Sequence, residues 1–337
     1  MDLVKVSGIR KQEGDRVILE GISLVQKEFR RIALAGESGA GKTTLLKSIG
    51  GLVQPDAGEI LYKGERVKGP LERLIPGHPG IAYLSQHFEL RNNYRVEDLL
   101  QITNNLPEAE AAAIYELCRI RHLLQRKTDQ VSGGERQRIG LARLLISSPG
   151  LLLLDEPFSN LDPIHKALLK EVIGDVGEKL KISCLLASHD PLDTLSWAEE
   201  IIVLKEGRIV QKGPPEEIYG RPVSEYVGAL FGSYNLIRPE DLKQFIHLPG
   251  VAMNGNPLFI RPGNIKLTKR KGQENIAGEQ ALKGIVDRLL FFGNYYEAEV
   301  TAGGCRIRAS VGDRSIHAGD IVYVSWPADA PWYGLNR

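Results

Sequence analysis

Residues 30–47 read RRIALAGESGAGKTTLLK, and this stretch decides the fold. The apolar run Ile32–Ala33–Leu34–Ala35 is short and unbroken, as expected of a strand buried on both faces. GESGAGKT at 36–43 follows and satisfies the spacing G-x-x-x-x-G-K-[ST]. Gly36, Gly39 and Gly41 permit a tight loop whose backbone N–H groups turn inward on an anion, with Ser38 and Ala40 between them. KTTLLKSIGGL then has helical spacing, so the positive end of a helix dipole points at the same place. Lys42 is long enough to reach β- and γ-phosphates. The Thr43 hydroxyl suits a hard divalent cation, and Thr44 completes the loop.

Working outward, the next decisive stretch is LLLLDEP at 151–157. Four leucines make a second buried strand, and two acids stand at its end. A carboxylate there is costly unless a cation answers it. Asp155 is the candidate Mg²⁺ partner. Glu156, one residue on, faces elsewhere and is a candidate base for polarising a water. These two stretches together describe a P-loop NTPase.

The rest of the chain is organised around them. LVKVSGI and RVILEGISLVQ read as strands of a hairpin, GEILYKGERV as a small β element, SCLLASHD as a third buried strand and EIIVLKEGRIVQKG as a closing hairpin. Between them, EAEAAAIYELCRIRHLL and SGGERQRIGLARLLIS have helical spacing. Strands alternating with helices imply a largely parallel sheet covered on both faces. From about Gly232 helical periodicity fades after PEDLKQFI, and GIVDRLLFF, YYEAEV, CRIRAS and DIVYVSW alternate apolar and polar residues as a small all-β module. TKRKGQENIAGEQ at 268–280 reads as a loop or linker.

Composition excludes several classes. Lys and Arg total 43 against 42 Asp and Glu, so bulk charge does not support nucleic-acid binding. Cys118, Cys184 and Cys305 form no CxxC pair, which argues against a zinc site or a disulfide framework. MDLVKVSGIRKQEGD is charged throughout and does not read as a signal peptide. The apolar runs are too short to span a bilayer, so work at a membrane requires a partner that holds the chain there.

VSGGERQR at 131–138 narrows the class: it resembles the LSGGQ signature of ABC ATPases, and Ser132 stands 23 residues before Asp155. Other motifs of that family follow in order: Gln86 in YLSQ matches the Q-loop glutamine, Asp162 in SNLD the D-loop, and His189 in ASHD the switch histidine. The resemblance covers roughly residues 1–230 and implies an ABC nucleotide-binding domain, α/β in fold, with a helical subdomain at about 87–135. It implies ATP and Mg²⁺ as cofactors, with Thr43, Gln86 and Asp155 around the metal and Glu156 and His189 acting on the γ-phosphate. Ser132, Gly133, Gly134 and Glu135 would cap the nucleotide held by a second copy, giving a head-to-tail homodimer. It further implies a transmembrane permease docked near Gln86–Asp129, an extracytoplasmic solute-binding protein, and a place on the cytoplasmic face of the cell membrane.

Two positions depart from the family pattern. Glu135 stands where glutamine is usual, a tolerated variant from which reduced but real hydrolysis is expected at worst. Glu13 stands where an aromatic ring commonly stacks on adenine. Stacking contributes roughly 1–3 kcal/mol per base, so a weaker adenine grip and looser choice among nucleotides are expected. HFELRNNYRVEDLL also lacks the proline common in importers near Asn92.

Residues 232–337 resemble the appended β domain of importer ATPases: FIRPGNIKLT at 259–268 resembles V-R-P-E-x-I with Gly263 in place of the acid, and the strands after it resemble a TOBE domain, an OB-like barrel. Ligand sensing and dimer stabilisation are both open for it. The expected domains are 1–231 and 232–337, and the expected function is ATP hydrolysis coupled to import. An export engine and a soluble non-transport ABC ATPase are the alternatives.

Overall fold

The computed structural model describes residues 1–85, 90, 92–238, 240–241, 257–269, 281–312, 315–325 and 333–334. Gln86 therefore lies outside the described residues, as do most of PEDLKQFI and residues 270–280. The chain forms two compact units, Met1–Pro215 and Glu216–Arg337.

The first unit opens with a long hairpin, β1 (Asp2–Glu13) and β2 (Arg16–Lys27). It continues through β3 (Arg31–Ala35), α1 (Lys42–Ile49), β4 (Ala57–Tyr62), β5 (Glu65–Arg66) and β6 (Ile81–Leu84). The helical stretch holds α2 (Val96–Gln101), α3 (Glu108–Leu117) and α4 (Gly133–Leu145). Then come β7 (Leu151–Asp155), α5 (Pro163–Lys179), β8 (Ser183–Ser188), α6 (Pro191–Thr194), β9 (Glu200–Lys205) and β10 (Arg208–Gly213). The six-stranded sheet runs β10-β9-β3-β8-β7-β6, parallel except for the β9–β10 hairpin. A separate antiparallel sheet runs β2-β1-β4-β5.

The leucine run of β7 shows why the parallel strands read as continuous apolar stretches. Leu151 and Leu153 join the core built with α1, β1, β2 and β4, whereas Leu152 and Leu154 join the core built with α2, α3, α4 and α5. All four are fully buried, and each such burial is worth roughly 1.5–3 kcal/mol. With both faces of β7 covered, its one polar residue, Asp155, sits at the carboxyl end, where open α/β sheets bind ligands.

The second unit holds α7 (Pro215–Gly220) and α8 (Glu225–Leu230), then β11 (Asn235–Ile237), β12 (Leu258–Ile260), β13 (Lys266–Thr268), β14 (Leu282–Phe291), β15 (Tyr296–Ala302), β16 (Cys305–Val311), β17 (Ile321–Ser325) and β18 (Tyr333–Gly334). The order β13-β17-β14-β15-β16 is antiparallel throughout. Its inward alternation, Val286, Ala298, Val300, Ile307, Ala309, Val322 and Val324, builds the core of the expected OB-like barrel.

The boundary differs from the expected 231/232. Residues 216–231 belong with the β module because Arg261 ties them to it. Its guanidinium donates to the carbonyls of Tyr219 at 3.0 Å and Gly232 at 2.9 Å and lies over the Tyr219 and Phe259 rings. Sequence reading assigned these residues no element of their own and left them with the first domain.

All three cysteines are free thiols. Burial pushes the Cys118 and Cys184 thiols up to about 12, so neither is a nucleophile at neutral pH. Among the described residues, no helix is long and apolar enough to cross a membrane.

Candidate nucleotide-binding and hydrolysis site

The loop between β3 and α1 is shaped by glycine where nothing else fits. Gly41 is the N-cap of α1 at φ +100°, and a Cβ on it would meet the Ile18 carbonyl at 2.8 Å. Because Gly41 brings no side chain and the first turn of α1 has no acid, the leading N–H groups of the helix are left for an external anion. Ser38, Gly39, Gly41, Lys42, Thr43, Thr44, Glu156 and His189 line one cleft of ≈ 290 Å³, together with Arg16 and Ile18. Gly36 lies behind it as an acceptor for Lys42, and Ala40 is buried beneath the loop.

Lys42 is 7% exposed, and its Nζ donates to the carbonyls of Gly36 at 2.7 Å and Glu37 at 3.1 Å. Burial lowers its pKa, while the carboxylates of Glu156, Asp155 and Glu37 pull the other way. The Thr43 hydroxyl donates to Asp155 Oδ1 at 3.0 Å, and the Tyr83 hydroxyl donates to Oδ2 at 2.8 Å. Burial, followed by the Asp155 charge, raises the Tyr83 pKa, so the phenol stays a donor.

Glu156 has φ +49°, a left-handed backbone that turns its side chain out of the line of β7. Its Oε1 is 3.9 Å from Lys42 Nζ; its Oε2 accepts from Ser159 Oγ at 3.1 Å and lies 2.9 Å from His189 Nδ1. A carboxylate, an imidazole and an ammonium therefore converge beside the phosphate loop, as an in-line attack by water on a terminal phosphate requires.

His189 is mounted on a charged brace that sequence reading missed. Asp193, 4% exposed on its side chain, receives the ammonium groups of Lys166 at 2.8 Å and Lys170 at 2.7 Å. Lys166 also meets Asp190, the residue after His189, at 2.5 Å. Spacing along α5 could have paired Lys166 with Lys170 but not with acids about 24 residues on. Tyr83 was missed for the same reason: its bond to Asp155 spans 72 residues.

The signature residues Ser132, Gly133, Gly134 and Glu135 do not line this cleft, nor does Asp162. Ser132 caps α4: its hydroxyl accepts from the Glu135 N–H at 3.3 Å, and its own N–H donates to Glu135 Oε2 at 2.8 Å. A glutamate serves this capping box as well as a glutamine. Burial opposes ionisation of Glu135, but the Ser132 N–H and hydroxyl and the Arg126 and Arg138 charges outweigh it, so its pKa falls. Asp162 caps α5 by accepting from Ile164 and His165 N–H at 3.0 and 3.1 Å.

The two signature glycines differ. A Cβ on Gly133 meets nothing within 4 Å, whereas one on Gly134 would stand 2.6 Å from the His165 ring. Gly134→Ala is expected to force His165 off Asp162 and to cost about 1–3 kcal/mol. Gly133→Ala should cost nothing and gain up to about 1 kcal/mol from helix propensity, and denaturant titration of the two variants checks the difference.

Parallel sheet, phosphate loop and the acids at the end of β7 define a P-loop nucleotide-hydrolysing enzyme. An ABC transporter family model matches residues 19–159, and a TOBE domain model matches residues 258–333. Sulfate/thiosulfate import ATP-binding protein CysA of Mesostigma viride is 32% identical over 321 residues, covering 91% of this chain and 89% of that protein. Fe(3+) ions import ATP-binding protein FbpC of Photobacterium profundum is 28% identical over 319 residues, covering 89% and 88% respectively. Among solved structures, cbiO1 of Clostridium perfringens, part of the ABC transporter complex cbiONQ, matches with a TM-score of 0.58 at 26% identity, over 65% of this chain and 91% of that one. The chain belongs to the ATP-binding subunits of ABC transporters, on the importing side of the family that carries a TOBE domain, and it is an ATPase.

Proposed function

We propose that two copies of this chain clamp two ATP molecules head to tail and hydrolyse them to drive uptake through a permease. The observation that carries this is the position of the Glu156 carboxylate, 2.9 Å from His189 and 3.9 Å from Lys42 beside the phosphate loop. In this reading Glu156 accepts a proton from the attacking water, His189 holds the γ-phosphate and Lys42 bridges the β- and γ-phosphates. Ser132, Gly133 and Glu135 of one copy close over the nucleotide of the other. That they do not line their own chain's cleft, and the open space at Gly133, support that exchange.

The donors present fit Mg²⁺. Thr43 and Asp155 offer adjacent hard oxygens of the kind Mg²⁺ takes. When bound, the ion would neutralise charge building between the β- and γ-oxygens. Tyr83 fixes the direction of the Asp155 carboxylate. Gln86 is proposed beside them from its place in YLSQ.

A cytoplasmic helix of the permease fits the wide cleft of ≈ 650 Å³ lined by Leu52, Ile75, Pro79, Tyr83, Asn105 and Leu144. Leu71, Leu74 and Ile75 stand 85%, 101% and 79% exposed nearby, an apolar group that water does not favour. These residues support a docking surface that extends ahead of the stretch Gln86–Asp129. The chain would then sit on the cytoplasmic face of the membrane, with a solute-binding protein on the other side. CysA and FbpC are named for an oxyanion and a ferric ion, yet both align with nearly all of this chain; cargo choice therefore lies with the other subunits.

If hydrolysis needs two chains, phosphate release per chain should rise with protein concentration and level off once pairs form. A rate per chain that stays flat over a hundredfold dilution would rule out the paired mechanism.

A further inference from the structure

No aromatic side chain lines the nucleotide cleft among the described residues, in keeping with Glu13 at the expected stacking position. Glu13 pairs with Arg16 across the β1–β2 turn, and it is Arg16 that enters the cleft. Arg16 Nη2 lies 3.4 Å from the point a Cβ on Gly39 would occupy, so the guanidinium leans over the middle of the phosphate loop. Among the described residues it has no hydrogen-bond or ion-pair partner. An arginine that reaches over the phosphate loop with no carboxylate to answer it is a ready anion clamp, planar and permanently charged.

We propose that Arg16 is a nucleotide-binding residue that pairs with the phosphates from the hairpin side, opposite Lys42. The inference rests on the cleft being the ATP site. It assigns the grip to charge rather than to base stacking, because the guanidinium sits at Gly39 within the loop that cradles phosphate. The cleft then accepts any purine triphosphate with similar affinity, and Arg16 replaces the missing ring with a contact that is blind to the base.

The test is a set of binding titrations with Mg²⁺ and ATP, GTP or inorganic tripolyphosphate, using the full chain and the variants R16A, R16K and K42A. R16A is expected to weaken all three ligands about tenfold, to leave the ATP-to-GTP ratio unchanged and to flatten the salt dependence; R16K should recover part of the loss. The proposal is overturned if R16A binds all three ligands as the parent does, if tripolyphosphate is spared while ATP and GTP weaken, or if R16K is no better than R16A. A different result would sink the cleft assignment itself: a parent chain that binds none of the three, or a K42A variant that binds as the parent does.

Discussion

Glu156→Gln should release phosphate about 10²–10⁴-fold more slowly than the parent while binding ATP undiminished, and should accumulate as an ATP-bound pair. The amide keeps the shape that accepts from Ser159 and sits beside His189, so the local packing survives. It cannot take a proton from water. It also removes a negative charge 3.9 Å from Lys42 at a spot that is 13% exposed. Losing that charge next to an incoming triphosphate favours binding, which is why slow turnover and tight closure are expected together. Light scattering at saturating Mg-ATP and a single-turnover phosphate assay read the two effects. A variant that turns over at the parent's rate would remove Glu156 from the chemistry.

Lys42→Ala should behave differently, losing binding as well as turnover. The ammonium is almost wholly buried and is the cation that Gly36, Glu37, Glu156 and Asp155 all surround. Without it, a triphosphate would enter a cleft with Glu156 and Asp155 uncompensated on its Lys42 side. Removing one partner of a buried charge pair costs about 3–5 kcal/mol, so affinity should fall by roughly 10²–10⁴-fold. Calorimetric titration checks this, and affinity within threefold of the parent would contradict the geometry. Comparing the variants separates gripping the nucleotide from cleaving it: one keeps affinity and loses turnover, the other loses both.

The parts of this site legible in sequence are those whose chemistry is contiguous. GESGAGKT carries its loop, cation and hydroxyl within eight residues, and LLLLDEP carries a buried strand together with the acids it presents. Ser132 and Glu135 were legible as a motif, although the reason for glutamate, a capping box, emerged only from the folded α4. What sequence could not show were contacts made by strand pairing and helix docking. Tyr83 reaches Asp155 because β6 and β7 lie side by side in register. Arg16 reaches the phosphate loop because a hairpin folds back over Gly41. The boundary before the β module moved because it rests on Arg261 reaching Tyr219 and Gly232, contacts 42 and 29 residues apart in the chain.

The brace beneath His189 has a mechanical consequence. Asp162 starts α5, and Lys166, one turn later, holds Asp190 and Asp193. A single turn of helix is about 5 Å long and does not stretch, so whatever tugs on Asp162 tugs on the loop bearing His189.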